Sequence, residues 1–186
     1  MPPEIDKLLW ANARLPVHLS NEERLACEQL VATYKNVQYA FYMGSRPQSL
    51  AGLTDSPVGL ASFIIDFDPK GLAKLIAGVF EGREEGLTRD DVLDSITLFW
   101  LTNTAVSAAR LYWENKFNYF SPKGVTIPAA VSVFPDELFQ APRSWTERAY
   151  PNLVHYNRLE KGGHFPAWEQ PATFVTELRA GFESLR

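Results

Sequence analysis

The sequence is poor in the features that mark several broad classes of protein. Its single cysteine, Cys27, excludes an internal disulfide framework and a multi-cysteine metal site, and it fits a reducing compartment. No apolar run approaches the ~18 residues that span a bilayer. The start of the chain, Met1–Asp6, lacks the basic and apolar regions of a signal peptide. We therefore expect a cytoplasmic protein without a membrane segment.

A surplus of basic residues is also absent. The net charge of −4 provides no electrostatic attraction to nucleic acid or to an anionic membrane. We expect neither as a partner, and we expect no cofactor and no bound metal. The length of 186 residues, with 46% hydrophobic and 22% charged residues, suits one globular domain or two small ones.

Helix signals dominate the first two thirds of the chain. Residues 1–19 carry three prolines and are predicted to form an extended lead-in. A capping box at Ser20 and Glu23 then predicts a helix that ends at Gly44.

Further helices are predicted downstream. Ser56 caps a helix with the apolar body Val58–Phe67, and Leu72–Phe80 is predicted as a short helix. A second capping box at Thr88 predicts a longer helix that runs to Glu114. That helix is apolar over a wide arc, so it should be largely buried.

Strands are predicted only in the last third. Val125–Phe134 is β-branched and apolar, Pro142–Tyr150 is predicted as a helix, and Asn152–Arg158 alternates as a strand does. This order predicts an α/β fold with two parallel strands joined by a crossover. Two parallel strands alone do not form a stable sheet, so this part resembles the tail of a larger one. A final amphipathic helix should cover it, with the stripe Phe174, Leu178, Phe182 and Leu185.

A histidine and two carboxylates follow the two predicted strands. His164 comes directly after Gly162 and Gly163, which are suited to a sharp turn. Asp136 and Glu137 follow the previous strand, and this order matches that of acid and base in α/β-hydrolases. His164 is therefore a candidate catalytic base, and either carboxylate could orient it. The structural alternatives are a partly buried loop histidine and a solvated charged turn.

No nucleophile accompanies this pair. The sequence contains no Gly-x-Ser-x-Gly motif, and no Asp or Ser stands on a predicted strand–turn–helix elbow. Asp55, Asp66 and Asp68 lie in helical or helix-breaking surroundings. Cys27 falls within a capped helix and is most simply a small core residue.

Several segments resemble the C-terminal part of a known family, the microsomal-type epoxide hydrolases of the α/β-hydrolase fold. The similarity covers nearly all of the chain beyond the lead-in. The matching segments are Tyr39–Leu50 (YAFYMGSRPQSL), Asp55–Ala61 (DSPVGLA), Leu98–Glu114 (LFWLTNTAVSAARLYWE), Val131–Trp145 (VSVFPDELFQAPRSW) and Lys161–Glu169 (KGGHFPAWE).

The resemblance implies a partial α/β-hydrolase fold and a role for four residues. The predicted division is a lead-in at 1–19, a helical cap at 20–120 and, at 121–186, the last two parallel strands with flanking helices. His164 matches the family's catalytic base, and Glu137 matches its charge-relay acid, with Asp136 on a variable position. Tyr39 and Tyr112 match the two cap tyrosines, although from the residues alone both would be core aromatics.

The resemblance also implies a reaction. Small apolar epoxides are converted to vicinal diols through an alkyl-enzyme ester, and the nucleophilic aspartate lies in the family's N-terminal half, which these residues do not match. We therefore expect the chain to act with that missing half. The alternative is a non-catalytic interaction module or a small apolar ligand-binding module, which associates through unpaired strand edges, also as a homo-oligomer. A dehalogenase or an esterase is disfavoured by the two tyrosine contexts.

Overall fold

The computed structural model describes residues 1–36, 38–66, 73, 77–81, 88–115 and 120–185. Contacts divide the chain into two compact units. The strand unit comprises Met1–Tyr34 and Phe117–Arg186, and the helical unit comprises Lys35–Lys116. The assignment of residues 20–120 as a cap remains a prediction. Among the described residues, no helix is long and apolar enough to cross a membrane.

The described part of the chain is mainly helical in its first two thirds and contains two strands in its last third. In order, they are α1 (Pro3–Trp10), α2 (Asn21–Asn36), α3 (Gln38–Ser45), a 3-10 helix (Pro47–Thr54), α4 (Pro57–Ile65), α5 (Arg89–Thr102), α6 (Ala105–Ala108), α7 (Arg110–Glu114), β1 (Ala129–Val133), α8 (Arg143–Ala149), β2 (Leu153–Arg158), α9 (Pro166–Glu169), α10 (Pro171–Phe182) and a second 3-10 helix (Glu183–Leu185). Phe67 lies outside the described residues, as do residues 72 and 74–76 of the predicted short helix Leu72–Phe80.

The start of the chain is not extended as predicted, because α1 forms there. Pro3 stands at the first helical position, where a missing N–H costs nothing. Ile5 is 4% exposed and belongs to the core. Asp6 is also buried, and it accepts a hydrogen bond of 3.0 Å from the hydroxyl of Tyr34 on α2. Tertiary contacts of this kind stabilise an eight-residue helix that would be marginal in isolation.

The predicted helix starts at Ser20, Ser56 and Thr88 are confirmed. The backbone N–H of Ser20 donates to Glu23 Oε2 at 2.9 Å, and the N–H of Glu23 donates back to Ser20 Oγ at 3.2 Å. Thr88 and Asp91 form the same reciprocal pair at the start of α5. Ser56 Oγ accepts from the N–H of Gly59 at 3.0 Å and so caps α4.

The helix that begins after Thr88 is shorter and more exposed than predicted. Asn103 adopts a left-handed conformation with φ 52°, which ends α5 at Thr102, and the short helices α6 and α7 follow separately. Val92 and Ile96 are buried, but Leu98 and Leu101 are 64% and 77% exposed. The apolar arc of α5 is therefore only partly covered by the residues of the helical unit.

The strand unit contains the predicted parallel pair, β1 and β2. The N–H of Ala129 donates to the carbonyl of Asn152 at 2.9 Å, and the N–H of Leu159 donates to the carbonyl of Val133 at 2.9 Å. Alternate backbone groups of a strand point to opposite sides, so those of Ala130 and Ser132 face away from β2. Among the described residues, no strand pairs with that edge of β1.

The core of the strand unit lies between its helices. It consists of buried residues from α1, α2 and α8 together with the chain start: Met1, Ile5, Ala26, Cys27, Leu30 and Trp145. Helix α10 packs on both strands, and α8 packs on β2. Both strands thus lie against helices that fix their positions.

A buried carboxylate joins α10 to both strands. Glu177 is 9% exposed. Its Oε2 accepts from Ser132 Oγ on β1 at 2.7 Å and from His155 Nε2 on β2 at 2.8 Å. Its Oε1 accepts from Asn157 Nδ2 at 2.8 Å. Burial raises the pKa of Glu177, but the hydrogen bonds from His155, Ser132 and Asn157 outweigh burial and hold this pKa below the ordinary 4.5.

Replacement of Glu177 by alanine should destabilise the protein. At pH 7 we expect Glu177→Ala to lower the free energy of unfolding by about 3 kcal/mol, because three partly buried donors lose their acceptor. The exposed Glu183→Ala should change the free energy by less than about 0.5 kcal/mol. Urea unfolding followed by circular dichroism measures both, and equal small losses would contradict the buried network.

The contribution of Glu177 should also depend on pH with a defined sign. Its folded-state pKa is lowered, so the unfolded state takes up the proton first as the pH falls below about 4.5. The stabilisation is therefore complete above that value and is lost as the pH falls through the folded-state pKa. The difference between wild type and Glu177→Ala should shrink in that window, and a difference that grows on acidification would contradict the sign.

Candidate active site

The loop that follows β1 carries Glu137 and is held by helix α2. Thr33 Oγ1 on α2 donates to the carbonyl of Leu138 at 2.9 Å. The N–H of Gln140 donates to Gln29 Oε1 on the same helix at 2.8 Å, and Gln140 Nε2 donates to the carbonyl of Pro135 at 3.0 Å. These bonds fix both ends of the loop around the acid.

Sequence reasoning missed the contribution of α2 to this loop. Gln29 and Thr33 are separated from their partners by more than 100 residues. One signal was available, because both lie at helical spacing from Ala26 and Leu30, on the face that α2 buries. Thr33 is 8% exposed, and a polar side chain at a buried position needs a partner.

The turn before His164 requires a glycine at Gly162. Its φ is +104°, a conformation that residues with a Cβ rarely adopt. A Cβ added there would lie 2.7 Å from Cδ1 of the buried Phe134 ring. The carbonyl of Gly162 accepts from the N–H of Asp136 at 3.1 Å. The turn of the base is therefore bonded directly to the loop of the acid.

His164 and Glu137 are in hydrogen-bond contact. His164 Nδ1 lies 2.8 Å from Glu137 Oε1 and 3.1 Å from Oε2. Glu137 Oε1 also accepts from the N–H of Leu138 at 2.7 Å. The side chains of His164 and Glu137 are 45% and 34% exposed in this chain. Of the two carboxylates that the residues alone left open, Glu137 contacts the imidazole directly.

The electrostatics of the pair assign the proton to Nδ1. Burial raises the pKa of Glu137, but the hydrogen bonds from His164 and Leu138 and the attraction of the imidazole together lower this pKa below the ordinary 4.5. Glu137 is then ionised at neutral pH and can only accept, so Nδ1 must donate. In the neutral imidazole the other nitrogen, Nε2, is left with a lone pair, as a general base requires.

A pocket of about 470 Å³ opens beside β1 in the strand unit, and both members of the pair lie in its wall. Much of the remaining wall is apolar. Its larger apolar side chains are Phe134, Phe139, Phe174, Leu178 and Phe182. The pocket could therefore hold an apolar group next to the imidazole.

Tyr39 and Tyr112 meet in the helical unit. Their ring centroids are 5.9 Å apart and the ring planes are at 85°, an edge-to-face contact between α3 and α7. The backbone of Gly44 on α3 also lies close to Tyr112, since a Cβ there would be in ordinary van der Waals contact with the backbone carbonyl oxygen of Tyr112 at 3.5 Å. Both tyrosines are partly buried. The structure thus brings the two predicted tyrosines together, and their catalytic role remains a prediction.

No candidate metal centre is present in the described part of the chain. Within those residues, no three side chains of His, Cys, Asp or Glu lie close enough to hold an ion.

Comparisons with known proteins identify relatives of this architecture. The chain is 42% identical over 175 residues to a candidate epoxide hydrolase of Stigmatella aurantiaca, covering 90% of this chain and 38% of that protein. It is 30% identical over 148 residues to epoxide hydrolase 1 of Sus scrofa, covering 76% of this chain and 33% of the relative. No family model matches the chain.

Solved structures give the same result. The juvenile hormone epoxide hydrolase of the silkworm Bombyx mori superimposes with a TM-score of 0.73 at 25% identity, covering 99% of this chain and 46% of that one. The Aspergillus niger epoxide hydrolase superimposes with a TM-score of 0.69 at 27% identity, covering 92% and 43%. The chain spans less than half the length of each of these relatives. Its architecture is part of an α/β-hydrolase fold.

Replacement of His164 by phenylalanine should raise the pKa of Glu137. Phenylalanine keeps much of the burial, which raises this pKa, and removes the hydrogen bond and the charge that lower it. We expect the value to move from below 4.5 to above it. A carbon-13 NMR titration of the Glu137 carboxyl carbon measures the change, with His18→Phe as a control at an exposed histidine. An unchanged pKa in His164→Phe would show that the imidazole does not set it.

Replacement of Gly162 by alanine should be more costly than the same change at Gly124. Both glycines have positive φ, +104° and +68°, but a Cβ at Gly124 would meet nothing within 4 Å. We expect Gly124→Ala to lower the free energy of unfolding by about 1 kcal/mol through backbone strain. Gly162→Ala should lower it by about 3 kcal/mol through strain and overlap with Phe134. Urea unfolding compares the two, and equal losses would exclude the overlap.

Proposed function

The chain is related to part of the epoxide hydrolases of the α/β-hydrolase fold, and from this relation we propose that it supplies the C-terminal, acid–base part of such an enzyme. In this proposal Glu137 and His164 carry out the hydrolytic step, and Tyr39 and Tyr112 assist the opening of the epoxide. The substrate is a small apolar epoxide and the product is a vicinal diol. The nucleophile comes from residues other than these 186, since none of their aspartates stands on a predicted strand–turn–helix elbow.

The first step forms an ester. An aspartate carboxylate attacks one epoxide carbon, and the bond between that carbon and the ring oxygen breaks. The oxygen develops negative charge and takes a proton from the phenol of Tyr39 or Tyr112, which becomes a phenolate. Phenols suit this step because their ordinary pKa is about 10, so they carry a proton at neutral pH and can donate it to an alkoxide.

The second step hydrolyses the ester. Nε2 of His164 takes a proton from water, and the hydroxide attacks the carbonyl carbon of the ester. The tetrahedral intermediate collapses and expels the diol oxygen, which takes the proton from His164. The new carboxyl group returns its own proton to the phenolate, so the net reaction is epoxide plus water to diol. Glu137 stabilises the imidazolium while it exists.

One observation carries this proposal. Nδ1 of His164 is 2.8 Å from Oε1 of Glu137, although the two residues follow different strands and lie 27 residues apart. A solvated loop histidine does not need a carboxylate held by a separately fixed loop. This geometry fixes the tautomer in which Nε2 carries the lone pair that a base requires.

Activity should appear when the chain is combined with a nucleophile. We expect no diol from styrene oxide with the chain alone, and turnover when it is co-expressed with the portion of the Stigmatella aurantiaca relative that it does not match. In that mixture His164→Ala should reduce turnover about 10³-fold, the usual size of general base catalysis. It should also leave the alkyl ester on the complementing portion, where intact mass spectrometry detects it. Replacing both tyrosines by phenylalanine should slow ester formation instead.

His18→Ala is the matched control and should keep full turnover, because His18 is exposed. Diol formation by the chain alone would contradict the assignment of the nucleophile to another segment. A folded complex without turnover would favour the alternative, an interaction module. The open edge of β1 and the exposed Leu178 and Phe182 support that alternative. It predicts association of the chain alone, which light scattering after size exclusion measures.

A further inference from the structure

We propose that Glu169 is a positioning residue for His164. The side chain of Glu169 accepts a hydrogen bond from the backbone N–H of Phe165, the residue directly after the histidine, with 3.0 Å between the nitrogen and Oε1. The inference rests on the proposed function, since it assigns Glu169 a role only if His164 is the base. No part of the proposed chemistry uses Glu169 itself.

The contact closes a turn around Phe165 from both sides. The carbonyl of Phe165 accepts from the N–H groups of Trp168 and Glu169, both at 2.9 Å. With the N–H of Phe165 bonded to the Glu169 side chain, both backbone polar groups of this residue belong to one turn. Helix α9 contains only four residues and cannot be stable by its own backbone bonds. The side-chain bond of Glu169 therefore helps to hold the backbone after His164, together with the packing of α9 on α10.

This turn also fixes one side of the imidazole. The ring of Phe165 lies edge-on to that of His164, with centroids 5.0 Å apart and planes at 81°. Trp168 packs against Phe165, with ring centroids 6.2 Å apart. Phe165 and Trp168 are 42% and 54% exposed, so burial alone holds neither ring in place. Glu137 orients the imidazole through the hydrogen bond at Nδ1. The Phe165 ring, which the turn holds beside the imidazole, limits rotation of the His164 side chain.

Two substitutions of Glu169 distinguish its positioning role from an effect of its negative charge. Glu169 acts through an acceptor oxygen on the Phe165 N–H, and a glutamine presents the same kind of oxygen without the negative charge. Glu169→Gln should therefore preserve the position of His164, whereas Glu169→Ala should not. Glu160→Ala, an exposed glutamate four residues before His164, is the matched control for the loss of a carboxylate.

The test is the protonation pattern of the imidazole nitrogens, observed on the 186-residue chain at pH 8. Long-range proton–nitrogen correlation resolves the three histidines and reports the share of each ring that carries its proton on Nδ1. In wild type, Glu169→Gln and Glu160→Ala we expect His164 to be protonated chiefly on Nδ1. In Glu169→Ala the pattern should move toward that of a free imidazole, with His18 and His155 unchanged.

Hydrogen exchange of the Phe165 amide provides a second readout. Exchange should accelerate at least about tenfold in Glu169→Ala and stay near wild type in Glu169→Gln, since a bond to a charged or amide acceptor contributes roughly that factor. If Glu169→Ala does not fold, two measurements still test the positioning role: the protonation of the His164 nitrogens in Glu169→Gln, and the exchange rate of the Phe165 amide in wild type. An unprotected amide in wild type overturns the proposal.

The remaining outcomes are equally decisive. Wild-type nitrogen shifts in Glu169→Ala overturn the positioning role. An equal loss of Nδ1 protonation at His164 in Glu169→Gln and Glu169→Ala would assign the effect to the negative charge of Glu169. That result also overturns the positioning role. In the complemented mixture, Glu169→Ala should lower kcat with little change in KM, and Glu169→Gln should restore it. These NMR results do not depend on turnover, so a failure of the proposed function would appear separately, as absent diol formation with an intact wild-type pattern.

Discussion

The candidate site depends on the parallel pairing of β1 and β2. In a parallel pair the carboxyl ends of both strands lie at the same edge of the sheet, so the loops that follow them start side by side. Glu137 follows the first strand and His164 follows the second, and the bond from Asp136 to Gly162 joins the two loops directly. An antiparallel pair would place the same two side chains at opposite ends. The contact between Nδ1 and Oε1 is thus a consequence of topology.

Two carboxylate–histidine pairs occur among the described residues of the strand unit, and their differences distinguish a structural pair from a candidate catalytic pair. Glu177 is almost fully buried and accepts from His155 and from two further side chains, so it joins three elements. Glu137 is one-third exposed and accepts from one imidazole and one backbone N–H. Both carboxylates have a lowered pKa, because donors outweigh burial. A lowered pKa alone therefore does not identify a site, and the location of the pair at the strand ends beside a pocket does.

The features that could be predicted from the sequence are those that depend on neighbouring residues. The capping boxes of Ser20 and Thr88 each involve residues three positions apart, and the strands carry an apolar pattern of their own. The helix α1 could not be predicted, because the burial of Ile5 depends on residues far along the chain. The end of α5 depends on the left-handed Asn103, a conformation that asparagine permits but does not require. At the site, residue order indicated His164 with either Asp136 or Glu137, and the resemblance selected Glu137. Thr33, Gln29 and Glu177 act through long-range contacts that no local pattern encodes.

Both functional alternatives, an enzyme completed by another segment and a non-catalytic interaction module, use the open edge of β1. Backbone groups of Ala130 and Ser132 face away from β2, and the exposed Leu178 and Phe182 on α10 line the pocket beside that strand. An open strand edge and exposed apolar side chains both favour association. A chain that covers them gains backbone hydrogen bonds to β1 and the free energy of burying apolar surface. If the covering segment also carries a carboxylate nucleophile, the surface completes an enzyme, because His164 and Glu137 lie in the wall of the same pocket. If it does not, the same surface is an interaction site with an idle acid–base pair. In both cases the partner must pair with the edge of β1 and cover the apolar side chains of α10. The two cases differ only in whether the partner carries a carboxylate nucleophile.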